Sequence, residues 1–190
     1  MDIQENQLTS LDVSKNTALT SLSCTKNQLT SLDFSQNTAL KTLYCFENQI
    51  TSLDLSQNTS LETLWCQDNQ LTSLDISNNT ALLALYCADN QLSSLDVSNN
   101  TALISLHCIS NKLTSLDVSN NTALLGLYCN ENPLTRLNLK NGTNYNLNIR
   151  ANNNPLLNCI EVDVPALEDS GFKSQTVFDT GVTFSDDCGY

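Results

Sequence analysis

An all-β solenoid, in which 21-residue coils stack to form two short parallel sheets with little or no helix, is the fold class this sequence predicts. Three observations predict it. The unit Leu-Thr-Ser-Leu-Asp-Val-Ser-x-Asn-Thr-Ala-Leu-x-x-Leu-x-Cys-x-x-Asn-Gln begins at Leu8, Leu29, Ile50, Leu71, Leu92 and Leu113 with no insertion or deletion between copies. A fixed long period is the signature of stacked repeats. Within each unit apolar residues alternate with outward ones, as in Leu11-Asp12-Val13 and Leu22-Ser23-Cys24, which is the period of a half-buried strand and not of a helix. Finally, at about 3.3 Å per extended residue a coil this short closes only as a flat ring of two strands and two tight turns, stacked about 4.8 Å from its neighbour.

Taken in order, residues 1–7 are a partial coil: Ile3-Gln4-Glu5-Asn6-Gln7 matches Cys24-Thr25-Lys26-Asn27-Gln28, with Ile3 at the cysteine position. The chain therefore reads as an excised piece that starts inside a coil, without signal peptide or upstream region. Its uncapped first coil offers a surface for end-to-end association. Residues 8–155 form the solenoid, six full coils over 8–133 and then an irregular one. Leu134-Thr135-Arg136-Leu137-Asn138-Leu139 opens that seventh coil, and Asn141-Gly142-Thr143 makes a different turn. Leu147-Asn148-Ile149 with Asn152 is expected to close it one residue early, with Ile149 at the cysteine position. Residues 156–190 read as a C-terminal cap.

The register fixes what points inward. Leu8, Leu11, Val13, Leu19, Leu22, Cys24 and their equivalents supply an apolar core that only adjacent coils can bury. Asparagines recur at both corners, the columns of Asn16 and Asn27, where a side-chain amide can both donate to and accept from turn backbone of adjoining coils. Six cysteines, Cys24, Cys45, Cys66, Cys87, Cys108 and Cys129, fall on the period and are expected as a ladder of buried thiols. In-register neighbours point their Cβ atoms the same way, which suits a disulfide poorly.

The nested halves Leu-x-x-Leu-Asp-Val-Ser-x-Asn and Leu-x-x-Leu-x-Cys-x-x-Asn-Gln resemble the leucine-rich repeat, in the bacterial 21-residue class sometimes called IRREKO type. The tail, Asn154-Pro155-Leu156-Leu157-Asn158-Cys159-Ile160-Glu161-Val162-Asp163 and later Thr183-Phe184-Ser185-Asp186-Asp187-Cys188, is similar to the closing segment of such repeats in secreted Gram-negative proteins. The resemblance implies a recognition scaffold on an exported, extracellular or cell-surface protein. Coils this short leave no room for the outer helix of longer leucine-rich repeats, so a straight two-sheet prism is expected in place of a curved horseshoe. Cys159 and Cys188 lie off the period in the cap, and a bridge between them would close a loop worth about 3.5 kcal/mol on the chain-entropy model. Such a bridge fits an oxidising compartment.

Composition excludes several functions. A formal charge of −12 repels phosphate backbones, so nucleic acid is not an expected partner. Apolar runs such as Ala81 to Leu85 are too short for a membrane-spanning helix. With His107 as the one histidine, no Gly-rich phosphate loop and no nucleophile elbow, no catalytic constellation can be assigned and no cofactor is expected.

Two outward columns remain. In the first strand Asp12, Asp33, Asp54, Asp75, Asp96 and Asp117 repeat, and such a row of carboxylates needs compensation. Hydrogen bonds from flanking Ser10, Ser14 and their equivalents are the favoured source, with Asp33, Asp54, Asp75 and Asp96 as weak candidates for cation sites. In the second strand the column reads Ser23, Tyr44, Trp65, Tyr86, His107, Tyr128, beside Leu83, Ile104, Phe46 and Ile109. Stacked aromatics can be plain ladder packing, yet an exposed row of rings with aliphatic neighbours exceeds what a monomer usually leaves idle. Tyr44, Trp65, Tyr86, His107, Tyr128, Phe46 and Ile109 are therefore the expected ligand-binding residues of a non-enzymatic module that binds a protein partner. A polysaccharide ligand on the same rings is the alternative, ahead of a structural spacer or an ice-binding array built on the Thr9-Ser10 columns.

Overall fold

The computed structural model of the protein describes residues 1–142, 147–163 and 176–189. Residue 143 of the expected turn, and residues 164–175 and 190 of the expected cap, lie outside them. Twelve short strands and no helix occur among the described residues. None of these elements is a helix able to cross a membrane.

The ring-bearing strands form one parallel sheet of eight: β1 (Ser21–Ser23), β2 (Thr42–Tyr44), β3 (Thr63–Trp65), β4 (Ala84–Tyr86), β5 (Ser105–His107), β7 (Gly126–Tyr128), β9 (Asn148–Arg150) and β11 (Thr176–Val177). The other face carries four: β6 (Ser115–Asp117), β8 (Arg136–Asn138), β10 (Cys159–Glu161) and β12 (Thr183–Ser185). Both sheets begin one residue earlier than the repeat alone places them. The reason lies in the hydrogen bonding: the amide of Leu83, before β4, already reaches Glu62 O at 2.8 Å, whereas the cysteine amides bond onward to the next coil, Cys45 N to Trp65 O at 2.8 Å.

The faces are unequally closed. Before Ser115 the Asp-bearing side shows one isolated bridge, Asp33 to Asp54, and no named strand. There Thr51 N lies 3.4 Å from Thr30 O, against 2.8 Å for Thr135 N to Thr114 O in the paired region. Grooves of about 260 to 350 Å³ open between successive coils on this side. The ladder is thus continuous on the ring face and interrupted on the other.

Between the faces the predicted core is in place. Leu29, Phe34, Leu40, Leu43 and Cys45 of the second coil are all inaccessible to solvent, and the pattern recurs through Cys129. Each Asn of the second corner ties two coils: Asn69 Nδ2 donates to Cys45 O and Cys66 O at 3.1 and 3.2 Å while its Oδ1 accepts from Ile50 N at 2.9 Å. At the first corner Asn58 Nδ2 donates to Phe34 O and Asn37 O. Asn16, in the first coil, is exposed.

The seventh coil corrects the sequence reading. Ile149 stands opposite Leu127, at the leucine position, and Ala151 takes the cysteine position. The coil is thus one residue longer than the repeat on this side, with Gly126 opposite Asn148, and not one shorter. Its corner residue is Asn154, not Asn152: Asn154 Nδ2 donates to Ala151 O at 2.8 Å and to Cys129 O at 3.2 Å, and its Oδ1 accepts from Leu134 N. Asn154 follows Ala151 by three residues as Asn132 follows Cys129, and that local spacing decided the outcome. Beyond it, the Asp179 carboxylate accepts from the amides of Asn153 and Asn154 at 2.9 and 2.7 Å. Cys159 and Cys188 are disulfide-bonded, joining β10 to the segment that follows β12.

Candidate functional site

The site begins with three-residue strands. In each, the middle leucine faces the core, so the third residue must face outward. Pairing in register then sets Tyr44, Trp65, Tyr86, His107, Tyr128 and Arg150 opposite one another in sequence. The rings form one stack. Centroids are separated by 4.8 Å from Tyr44 to Trp65, 4.9 Å to Tyr86, 4.0 Å to His107 and 4.2 Å to Tyr128. Tyr86, His107 and Tyr128 lie nearly parallel, at 17° and 25°, whereas Trp65 is tilted by 53° and 41° against its neighbours. Phe46, after β2, packs its ring 6.1 Å from that of Trp65. The guanidinium of Arg150 ends the stack, 5.8 Å over the Tyr128 ring.

Each ring is half-buried, and the Trp65 indole nitrogen is buried without a hydrogen-bond partner among the described residues. Burial holds the His107 pKa below the ordinary imidazole value, so this side chain is neutral at pH 7. Ile109, two residues beyond His107, is partly buried and joins no ring contact. Ahead of the strands the equivalent column changes character: Lys41 and Glu62 are ion-paired at 2.8 Å, and then Leu83, Ile104 and Leu125 stand 39%, 42% and 53% exposed in consecutive coils. An aliphatic stripe therefore runs beside the ring stack.

A further column was not found from the sequence. Three residues past each ring, Glu47, Asp68, Asp89, Ser110 and Glu131 adopt positive φ of 50° to 59°. This left-handed region favours glycine and, among other residues, asparagine and aspartate, so Asp68 and Asp89 suit it while Glu47 and Glu131 do not; the recurrence at the period was the signal that marked the column. Ser110 Oγ donates to Glu131 at 2.8 Å, and Lys26 pairs with Glu5 in the first coils. Asp68 and Asp89 bond through their backbones, Asp68 N to Ala88 O at 3.1 Å and Asp89 N to Ile109 O at 2.9 Å, while their carboxylates have no hydrogen bond or ion pair among the described residues. The pKa of Asp68 is raised, first by burial and then by the Asp89 and Glu47 charges.

The Asp12 column behaves differently. Asp33, Asp54, Asp75 and Asp96 each accept the amide of the serine two residues on at 2.9 Å. Hydrogen bonds from the side chains and amides of those serines lower the pKa of all four. These carboxylates are thus held by their own turns. The six cysteines on the period are free and buried; desolvation pushes Cys24, Cys87 and Cys129 up to about 12 and Cys45, Cys66 and Cys108 well above the ordinary thiol value. A neutral thiol is a poor nucleophile.

No curated protein matches the chain. A family model described as leucine-rich repeats in two copies matches residues 38–82. Solved structures share the fold. The functional domain of InlJ from Listeria monocytogenes, which includes a cysteine ladder, is 31% identical with a TM-score of 0.67, over 90% of this chain and 46% of that one. A leucine-rich-repeat protein of Leptospira interrogans is 23% identical with a TM-score of 0.70, over 93% and 49%. A chain of the Drosophila Toll–Spatzle complex is 19% identical with a TM-score of 0.70, over 84% and 25%. The chain spans about half the length of the two bacterial structures.

Proposed function

The chain is a leucine-rich-repeat protein of nested 21-residue coils, and from that premise we propose that it is a non-enzymatic recognition module which binds a protein partner through its ring face. One observation carries the reading: a continuous stack from Tyr44 to Tyr128 lies beside an aliphatic stripe that is about half exposed over three coils. Exposed apolar area of this continuity is what interfaces use, and Trp and Tyr are the residues that anchor them. Tyr86, His107 and Tyr128, at 17° and 25°, turn their faces to one another, whereas Trp65 is tilted. Edges suit the packing of protein side chains, whereas a sugar stacks on an open ring face; polysaccharide is accordingly the second reading. The Cys159–Cys188 bridge supports a secreted or surface location, since disulfides persist in oxidising compartments.

A screen against surface proteins and polysaccharides supplies the ligand for a direct test. Trp65→Ala or Tyr86→Ala should weaken binding by about 2 kcal/mol, roughly 30-fold, with the circular dichroism spectrum unchanged. Asp75→Asn, on the opposite face, should bind as the parent does. Parent-like binding by the ring variants together with loss in the Asp variant would move the site to the other sheet.

A further inference from the structure

The ring face has a chemical polarity across its width, and resting on the reading of that face as the recognition surface, its partner's chemistry can be specified. On one side of the stack lie the exposed aliphatic side chains Leu83, Ile104 and Leu125. On the other lie Glu47, Asp68 and Asp89, in successive coils and at matching positive φ. These two sides flank the same rings, because one column precedes each strand and the other follows it by three residues.

We propose that the partner presents a basic segment, whose arginine or lysine side chains meet Asp68 and Asp89 while its aliphatic side chains rest on Leu83 and Ile104, crossing the edges of Trp65 and Tyr86 between them. Charge complementarity selects this occupant. The carboxylates of the Asp12 column, on the opposite face, already accept amides from their own turns. Those of Asp68 and Asp89 accept nothing among the described residues, and the Asp68 carboxyl is held up first by burial and then by the Asp89 and Glu47 charges of the adjoining coils. A cation brought there relieves repulsion that the fold leaves in place, and an acidic or phosphorylated partner adds to it. The stack also accommodates a guanidinium at one end within the chain itself, where Arg150 lies over Tyr128.

The experiment compares two ways of removing three charges from the intact chain. The probe is a fluorescein-labelled peptide alternating arginine and leucine, titrated by anisotropy against its glutamate–leucine and glycine–leucine counterparts and against a neutral β-glucan. The ring-face triple Glu47→Gln/Asp68→Asn/Asp89→Asn should weaken the arginine peptide at least about tenfold. The opposite-face triple Asp54→Asn/Asp75→Asn/Asp96→Asn keeps the Oδ1 acceptors of its turns and should change binding less than about twofold, since exposed charges farther off than roughly 10 Å are screened at 0.1 M salt. Equal loss from both triples would reduce the effect to general attraction by a chain of charge −12 and overturn the proposal. So would equal affinity for the glutamate or glycine peptide. Loss with Trp65→Ala but none with the ring-face triple would overturn the basic partner and leave the ring face standing. Parent-like binding by Trp65→Ala would sink the ring face itself, and Trp65-dependent binding of the glucan alone would transfer the site to carbohydrate.

Discussion

Each coil shows solvent two outward columns of comparable regularity, and the two have opposite energetics. On the Asp12 face every carboxylate is answered within its own turn by a serine two residues on, and the column never varies in type through Asp117. On the ring face the column varies from coil to coil, its rings depend on neighbouring coils for cover, and its flanking acids Asp68 and Asp89 are unanswered. The difference teaches that monotony in this repeat marks a locally satisfied structural position, whereas variation marks a position whose chemistry is completed elsewhere. The faces also differ in closure, one laddered throughout and one grooved.

The largest expected effect tests closure. Leu64, beneath the ring ladder, is inaccessible, whereas Leu53 is 7% exposed and lines an intercoil groove. Leu64→Ala should leave a sealed cavity and cost about 3 to 4 kcal/mol in urea unfolding, against about 2 for Leu53→Ala, where solvent can enter. Equal costs would mean that the faces are equally closed. Next, Cys66→Ser places a hydroxyl in a stacked, dry column and should cost about 1 to 3 kcal/mol. The same burial predicts that native protein alkylates no cysteine rapidly, and that denaturation without reductant exposes all the thiols except the bridged Cys159 and Cys188. Several fast native thiols would show that the ring side breathes.

The smallest effects bear most directly on the comparison. Asp75 has a lowered pKa, so its contribution is present above the ordinary carboxylate range and is lost as pH falls through the native value. Asp68 has a raised pKa, so its charge opposes the fold at neutral pH. Asp68→Asn should therefore raise the melting temperature at pH 7 slightly and Asp75→Asn lower it slightly. Both differences should fade in acid, where the parent carboxylates are also neutral. Changes of the same sign would erase the distinction between the columns.

Much of this was legible in the sequence because the register is unbroken. Once Leu22 and Leu43 are assigned inward, Ser23 and Tyr44 must point out, and the stack, the thiol column and the corner asparagines follow. What the period could not show was departure from it. Ile149 looked like a cysteine substitute by count, but the structure inserts a residue upstream and gives that place to Ala151. Similarly, Glu47 and Glu131 occupy a left-handed turn where backbone preference points to glycine, asparagine or aspartate. Nor does a repeat reveal that its second sheet forms regular strands only from Ser115 onward, with one isolated bridge before it.

The corner asparagines give the rod a direction of growth. Asn27, Asn48, Asn69, Asn90, Asn111 and Asn132 each reach back one turn: the carboxamide oxygen takes the amide proton of the residue that opens its own coil, and the nitrogen donates to a carbonyl of the coil before. A coil therefore presents a backbone carbonyl to its successor, and the successor brings the asparagine that bonds it, so each coil is completed by the one stacked on it. Assembly in this order works like laying bricks, each course setting the one beneath, and the Asp179 carboxylate at Asn153 and Asn154 is where the wall receives its coping.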